Sequence, residues 1–141
     1  MKIVLIMIAI FVAIQFIRPP KTNPAVDAKM TLKAPENVMK ILKASCYDCH
    51  SNETIWPGYS QVAPLSWSIV SHVDEGREAL NFSNWQNIDQ ETKTKRLKRA
   101  IKTINNGMMP LSGYLQFHEE AHLNNAQKAT LVEWCNQELA K

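Results

Sequence analysis

The run Cys46-Tyr47-Asp48-Cys49-His50 holds the residues of this 141-residue chain whose types and spacing most directly specify chemistry. Two thiols and an imidazole at this spacing serve three purposes: thioether attachment of haem, coordination of zinc, or cycling between dithiol and disulfide. Haem attachment needs two thiols that meet the vinyl groups on one side of a porphyrin, and an imidazole immediately after them to reach the iron. One helical turn of Cys-x-x-Cys-His supplies all three. Zinc would need further ligands. His118-Glu119-Glu120-Ala121-His122 spells the His-Glu-x-x-His of a zinc protease. It lies, however, between a Met-Pro loop and a capped helix start, without the apolar flanks of a buried helix. Cys46, Cys49, His118 and His122 make a chemically sensible zinc set, but the intervening stretch is far longer than a zinc finger's and leaves His50 without a role. A dithiol oxidoreductase places its thiols where a strand feeds a helix, and no such alternation is visible.

A haem held by His50 needs a group on its other face, and Gly107-Met108-Met109-Pro110 offers a thioether on a loop after a helix. Paired with histidine, a thioether raises the reduction potential by disfavouring the ferric charge. Met109, directly before the stiffening proline, is the expected distal ligand, with Met108 packed against the ring; Met108 and His72 remain alternatives. Core methionines would fall on a helical stripe, and these do not. Trp56, Tyr59, Trp67 and Trp85 are candidate flat walls whose polar edges, with Arg77, would meet the haem propionates. The backbone of Pro57 or Pro64 is the expected acceptor for the second nitrogen of His50.

These residues must be positioned by helices. Val38, Met39, Ile41 and Leu42 form an apolar face on a segment opened by Pro35 and Glu36 that runs straight into the cysteines. A second helix is predicted from Pro64 towards Asn81, with Trp67, Val70, Val73 and Leu80 inward. A third is predicted over Asp89 to Asn106, where Leu97, Ile101 and Ile104 share a face and Gly107 ends it. The fourth starts near Asn124, which with Gln127 resembles a capping box, and buries Leu131, Val132, Cys135 and Leu139. Cys135 is then a small apolar core residue. No segment alternates as a strand, so the fold class is all-α. Loops such as 51–63 and 108–123 leave such a domain underfilled unless a large apolar group occupies its centre.

Composition sets the outer limits. At 45% hydrophobic and 21% charged, the chain is one small domain with an appendage. Three cysteines cannot supply the four thiolates of an ordinary iron–sulfur cluster. A net charge of +3 does not argue for nucleic acid. Lys93, Lys95, Arg96, Lys98, Arg99 and Lys102 form the densest basic cluster, read as a solvated face or as steering towards an acidic redox partner or an anionic membrane. From Met1 to Ile17 an almost unbroken apolar run follows Lys2 and precedes Arg18-Pro19-Pro20-Lys21, the pattern of an export signal. Without a convincing cleavage site it is read as an uncleaved membrane anchor over residues 1–21, a cleaved periplasmic form being the alternative. Residues 22–35, proline-bearing and aperiodic, read as a tether, and 36–141 as the domain.

The run Cys46-Tyr47-Asp48-Cys49-His50-Ser51-Asn52-Glu53-Thr54, with Trp56-Pro57, Tyr59-Ser60, Ala63-Pro64 and Ser66-Trp67, resembles the haem-binding-domain family of small bacterial c-type cytochromes. So do His72-Val73, Glu75-Gly76-Arg77, Leu80-Asn81-Phe82-Ser83, Trp85, Met109-Pro110 and Trp134. Gly58 departs from the family, where a second aromatic commonly follows the proline. The resemblance implies one covalent haem c, His50 as proximal ligand, Met109 as distal ligand, and electron transfer without substrate turnover. The expected protein is therefore a monohaem, periplasm-facing, membrane-tethered electron carrier with a small cytochrome c-like helical domain around the haem. A haem-based sensor and a haem-bearing accessory subunit of a larger redox complex are the alternatives.

Overall fold

A computed structural model describes all 141 residues and contains helices and no strand. The N-terminal apolar run forms α1 (Lys2–Ile14), none of whose residues is buried. Then come α2 (Glu36–Ser45), α3 (Tyr47–His50), α4 (Leu65–Ala79), α5 (Gln90–Asn105), the single turn α6 (Ser112–Leu115) and α7 (Asn125–Leu139). Short 3-10 turns at Gly58–Gln61, Phe82–Asn87 and Glu119–Ala121 break up the long connections.

Local chemistry sets the helix ends. The Asp89 carboxylate accepts from the Thr92 amide at 2.8 Å to open α5, and Gly107 closes the region beyond it at φ 72°. Asn124 and Gln127 exchange two 2.9 Å bonds in a full capping box ahead of α7. The α4 helix starts one residue after Pro64 and stops at Ala79, short of the expected Asn81, because Leu80 turns extended.

The core is small: only 21 of 141 residues are buried, which suits a domain whose centre is left for something else. Leu97 and Ile104 of α5 pack on Leu131, Trp134 and Cys135 of α7, with Val38 and Leu42 of α2 and Phe82 and Trp85 from the turn after α4. Cys135, 2% exposed, is the core residue expected of it. Trp67, expected inward, instead lies half-buried at the surface and donates Nε1–H to the Ile17 carbonyl at 2.7 Å.

The N-terminal segment departs from its reading in two ways. At 13 residues α1 is about 20 Å long by helical rise, short of the roughly 30 Å of a bilayer's apolar core. No helix is long and apolar enough to cross a membrane. The residue after the helix ties it to the domain: the Gln15 side-chain amide accepts from Ala63 N at 2.9 Å and donates to Ala63 O at 3.1 Å. The stretch read as a tether is likewise strapped to the body. Asn23 donates to Thr54 O, Gln86 N to Met30 O, and Leu32 N to Phe82 O, while Leu32 joins the core. Aperiodic sequence concealed these partners because each lies far along the chain.

Candidate haem site

Cys46 ends α2, and its carbonyl accepts from Cys49 N and His50 N, so the three candidate residues sit on the one turn of α3. The polar residues that follow lock this turn. Ser51 Oγ donates to Tyr47 O at 2.7 Å, Thr54 Oγ1 to Asp48 O at 2.6 Å, and Ile55 N to Asp48 Oδ1 at 2.9 Å. From outside, Asn52 N donates to Ser83 Oγ and Asn81 Nδ2 to Asn52 Oδ1.

Helix α4 lies directly against this turn, and Gly76 makes the approach possible. A Cβ there would overlap the Cys49 carbonyl oxygen and stand 3.0 Å from its carbonyl carbon. The closeness fixes His50. Its Nδ1 lies 2.9 Å from Gly76 O and 3.0 Å from Leu80 O. Carbonyl oxygens only accept, so Nδ1 carries the proton and Nε2 keeps a lone pair with no protein partner. Burial lowers the His50 pKa, against the two carbonyls that raise it, and the ring is neutral. The acceptors are therefore in α4 and the residue after it, not at Pro57 or Pro64.

Three adjoining cavities of about 250, 290 and 150 Å³ open around the turn. The first is bordered by Cys46, Cys49, His50 and Met109 together. Cys46, His50 and Met109 border the third as well, and Cys49 borders the second. Met109 is thus brought to His50 and both thiols. Its loop is tied to the same turn by Tyr114 of α6, whose hydroxyl donates to Asp48 Oδ2 at 2.8 Å. Met108 is 61% exposed and its sulfur accepts from Asn106 Nδ2, although it reaches the edge of the third cavity. His72 is exposed on α4 and borders the first two cavities.

The other candidates divide. Trp56 and Tyr59 border the second cavity and Trp85 the third. Trp67 borders none of the three. Arg77 is committed elsewhere: Nε donates to Ser51 O, Nη1 to Thr22 O, and Nη2 to Asn23 Oδ1 and Thr54 Oγ1. It clamps the cysteine-bearing loop to the N-terminal strap and offers nothing to a ligand in the cavities. Gly76 stood in the sequence within the Glu75-Gly76-Arg77 run of the resemblance, and as a glycine inside a helix, which costs about 0.5–1 kcal/mol, it calls for a close contact. Tyr114 carried no signal.

Zinc chemistry does not fit. No three of the His, Cys, Asp and Glu side chains come together to hold a metal ion. His118 stacks on Tyr114 with ring centroids 4.0 Å apart, its Nε2 meets the Tyr59 hydroxyl at 2.7 Å and its Nδ1 meets Glu120 at 2.9 Å. Dithiol exchange fares no better, since it needs a lowered thiol pKa. Burial pushes Cys46 up to about 12, with Cys49 adding to it, and pushes Cys49 up to about 11, with Asp48 adding. Both are protonated thiols facing a cavity.

Haem fits this donor set. Two S–H groups on one turn, an imidazole whose Nε2 has no protein partner, a thioether on the same cavity and apolar walls are groups chemically suited to holding an iron porphyrin. A family model described as a haem-binding domain matches residues 9–137, and the chain belongs to that family. Searches of curated proteins and of solved structures found no match.

Proposed function

We propose that this haem-binding protein is an exported monohaem c-type cytochrome that passes single electrons and turns over no substrate of its own. The observation that carries the reading is the meeting of Cys46, Cys49, His50 and Met109 on one cavity. Cys46 and Cys49 would hold the group through thioethers, each made by adding one S–H across one vinyl C=C, with no oxidant or reductant needed. His50, with Nδ1 anchored on two carbonyls, would offer Nε2 as a ligand to the iron, and Met109 would offer its thioether sulfur. The bound group supplies the ferric/ferrous couple, and the protein supplies ligands, burial and orientation. The apolar helix that opens on Lys2 and runs to Ile14 has the length of a signal's apolar region, which supports export to the periplasm rather than a spanning anchor.

The test is expression in a bacterium with haem-attachment machinery. Haem should remain with the denatured chain, and the double variant Cys46→Ala, Cys49→Ala should lose it. Metal retained without haem would overturn the reading. Rapid, complete carbon monoxide uptake by the reduced wild type would favour the sensor alternative over a six-coordinate carrier.

A further inference from the structure

The stretch that follows Met109 reaches the rest of the chain through very few polar contacts. Residues 110–123 make their backbone hydrogen bonds only among themselves. Two hydroxyls, both aimed at the segment that begins with the cysteine turn, supply every hydrogen bond between that stretch and the remaining chain. Tyr114 donates to Asp48 Oδ2 at 2.8 Å, and the Tyr59 hydroxyl lies 2.7 Å from His118 Nε2. The two bonds are joined by stacking. The Tyr114 ring lies on His118 with centroids 4.0 Å apart and planes 12° from parallel, and Tyr59 packs on Phe117 at 4.8 Å.

The Asp48 end of the first bond is held firmly. Its Oδ1 accepts from Ile55 N at 2.9 Å and its carbonyl from Thr54 Oγ1 at 2.6 Å, so the carboxylate is fixed on the turn that carries Cys49 and His50. Burial and the bond to Asp48 push the Tyr114 pKa up, and the hydroxyl keeps the proton it donates. On the opposite side, Met108 N and Met109 N both donate to Thr103 O, at 2.9 and 3.1 Å, which ties the Met-Pro step to the end of α5. Met109 therefore sits between a backbone tie to α5 and a side-chain tie to the cysteine turn. The second clasp has the weaker anchor, since His118 leans on Glu120, which is exposed.

Resting on the haem reading above, we propose that Tyr114 is a positioning residue for Met109: its bond to Asp48 holds the distal segment against the cysteine turn and keeps the thioether in place against competing ligands. The Tyr59–His118 bond adds a smaller share. An uncharged thioether depends for its hold on the groups that orient it, and a hydroxyl bonded to a carboxylate is about twice as strong as one between neutral groups.

The experiment uses the haem-loaded full chain with Tyr114→Phe, Asp48→Asn, Tyr59→Phe and, as a control for loss of stability alone, Asp89→Ala, which removes the cap of α5. Covalent haem content and urea midpoint are measured, and the ferric sulfur-to-iron band is titrated with imidazole as the competing ligand. Tyr114→Phe keeps the ring on His118, so haem and band should remain, but the band should disappear at about tenfold lower imidazole. Asp48→Asn retains an oxygen without the charge and should shift the titration about threefold. Tyr59→Phe should shift it less than Tyr114→Phe. Asp89→Ala should lower the urea midpoint and titrate like wild type. In a Met109→Ala background there is no sulfur to displace, so adding Tyr114→Phe should leave imidazole binding unchanged. A wild-type titration in Tyr114→Phe, or a full-sized effect of Tyr114→Phe without Met109, overturns the proposal and leaves haem attachment standing. If Tyr114→Phe does not accumulate, Asp48→Asn decides, and an unshifted titration there overturns it. Covalent haem without a sulfur-to-iron band in the wild type also overturns it, whereas absence of covalent haem removes the reading on which it rests.

Discussion

Met109 and Met108 are chemically identical neighbours, and their surroundings separate them. Met109 is partly buried and borders two cavities with His50, whereas Met108 is 61% exposed with its sulfur engaged by Asn106. Met109→Ala should abolish the ferric sulfur-to-iron charge-transfer band and open the reduced protein to carbon monoxide. Met108→Ala should keep the band. The opposite pattern would exchange their roles. His50 teaches a related lesson. The motif identifies it as a ligand, but its tautomer depends on carbonyls 26 and 30 residues away. Arg77 makes the same point with charge: residue type made it a candidate for the porphyrin's acidic edge, and its four protein acceptors show that it is committed elsewhere.

The elements act on the site through how closely they pack. In an isolated helix Gly76→Ala would stabilise α4 by roughly 0.5–1 kcal/mol. Here the added methyl meets the Cys49 backbone, so overlap costing about 1–3 kcal/mol should win. The variant should show a lower urea midpoint and poorer haem loading; a rise in stability would mean that α4 and the cysteine turn do not touch as described. The α5 cap gives an acid-stability prediction. The Thr92 amide holds the Asp89 carboxyl below its usual pKa. Asp89 therefore contributes stability above its unfolded pKa, and that contribution is lost as pH falls through the lower folded value. Asp89→Asn keeps a capping oxygen but cannot titrate, so its urea midpoint should fall less than the wild type's over that acid range.

At the scale of the molecule, the α5 basic cluster resolves into separate uses. Lys93 lies 5.7 Å over the Trp85 ring, Lys95 pairs with Glu91, and Arg96 and Arg99 border the cavity. That leaves Lys98 and Lys102, both exposed, as the outward charges available to steer an acidic partner. Electron exchange with such a partner should slow as ionic strength rises, and Lys98→Glu with Lys102→Glu should slow it further at low salt. A rate indifferent to both would remove steering. The sequence by itself determined what depends on near neighbours. It contained the all-α class, the helix start at Asp89, the cap at Asn124, the stop at Gly107, the burial of Cys135, and the thiols and imidazole on one turn, because these features are decided within about one or two helical turns. Only the tertiary structure decided which carbonyls hold His50, that Gly76 admits α4, that Gln15 ties the end of the apolar helix to Ala63, and that residues 22–35 lie against the body. It also spent Arg77 on the protein's own acceptors. Each of these depends on where one helix comes to rest against another, and side-chain packing and hydrogen bonds between residues distant in sequence set that placement.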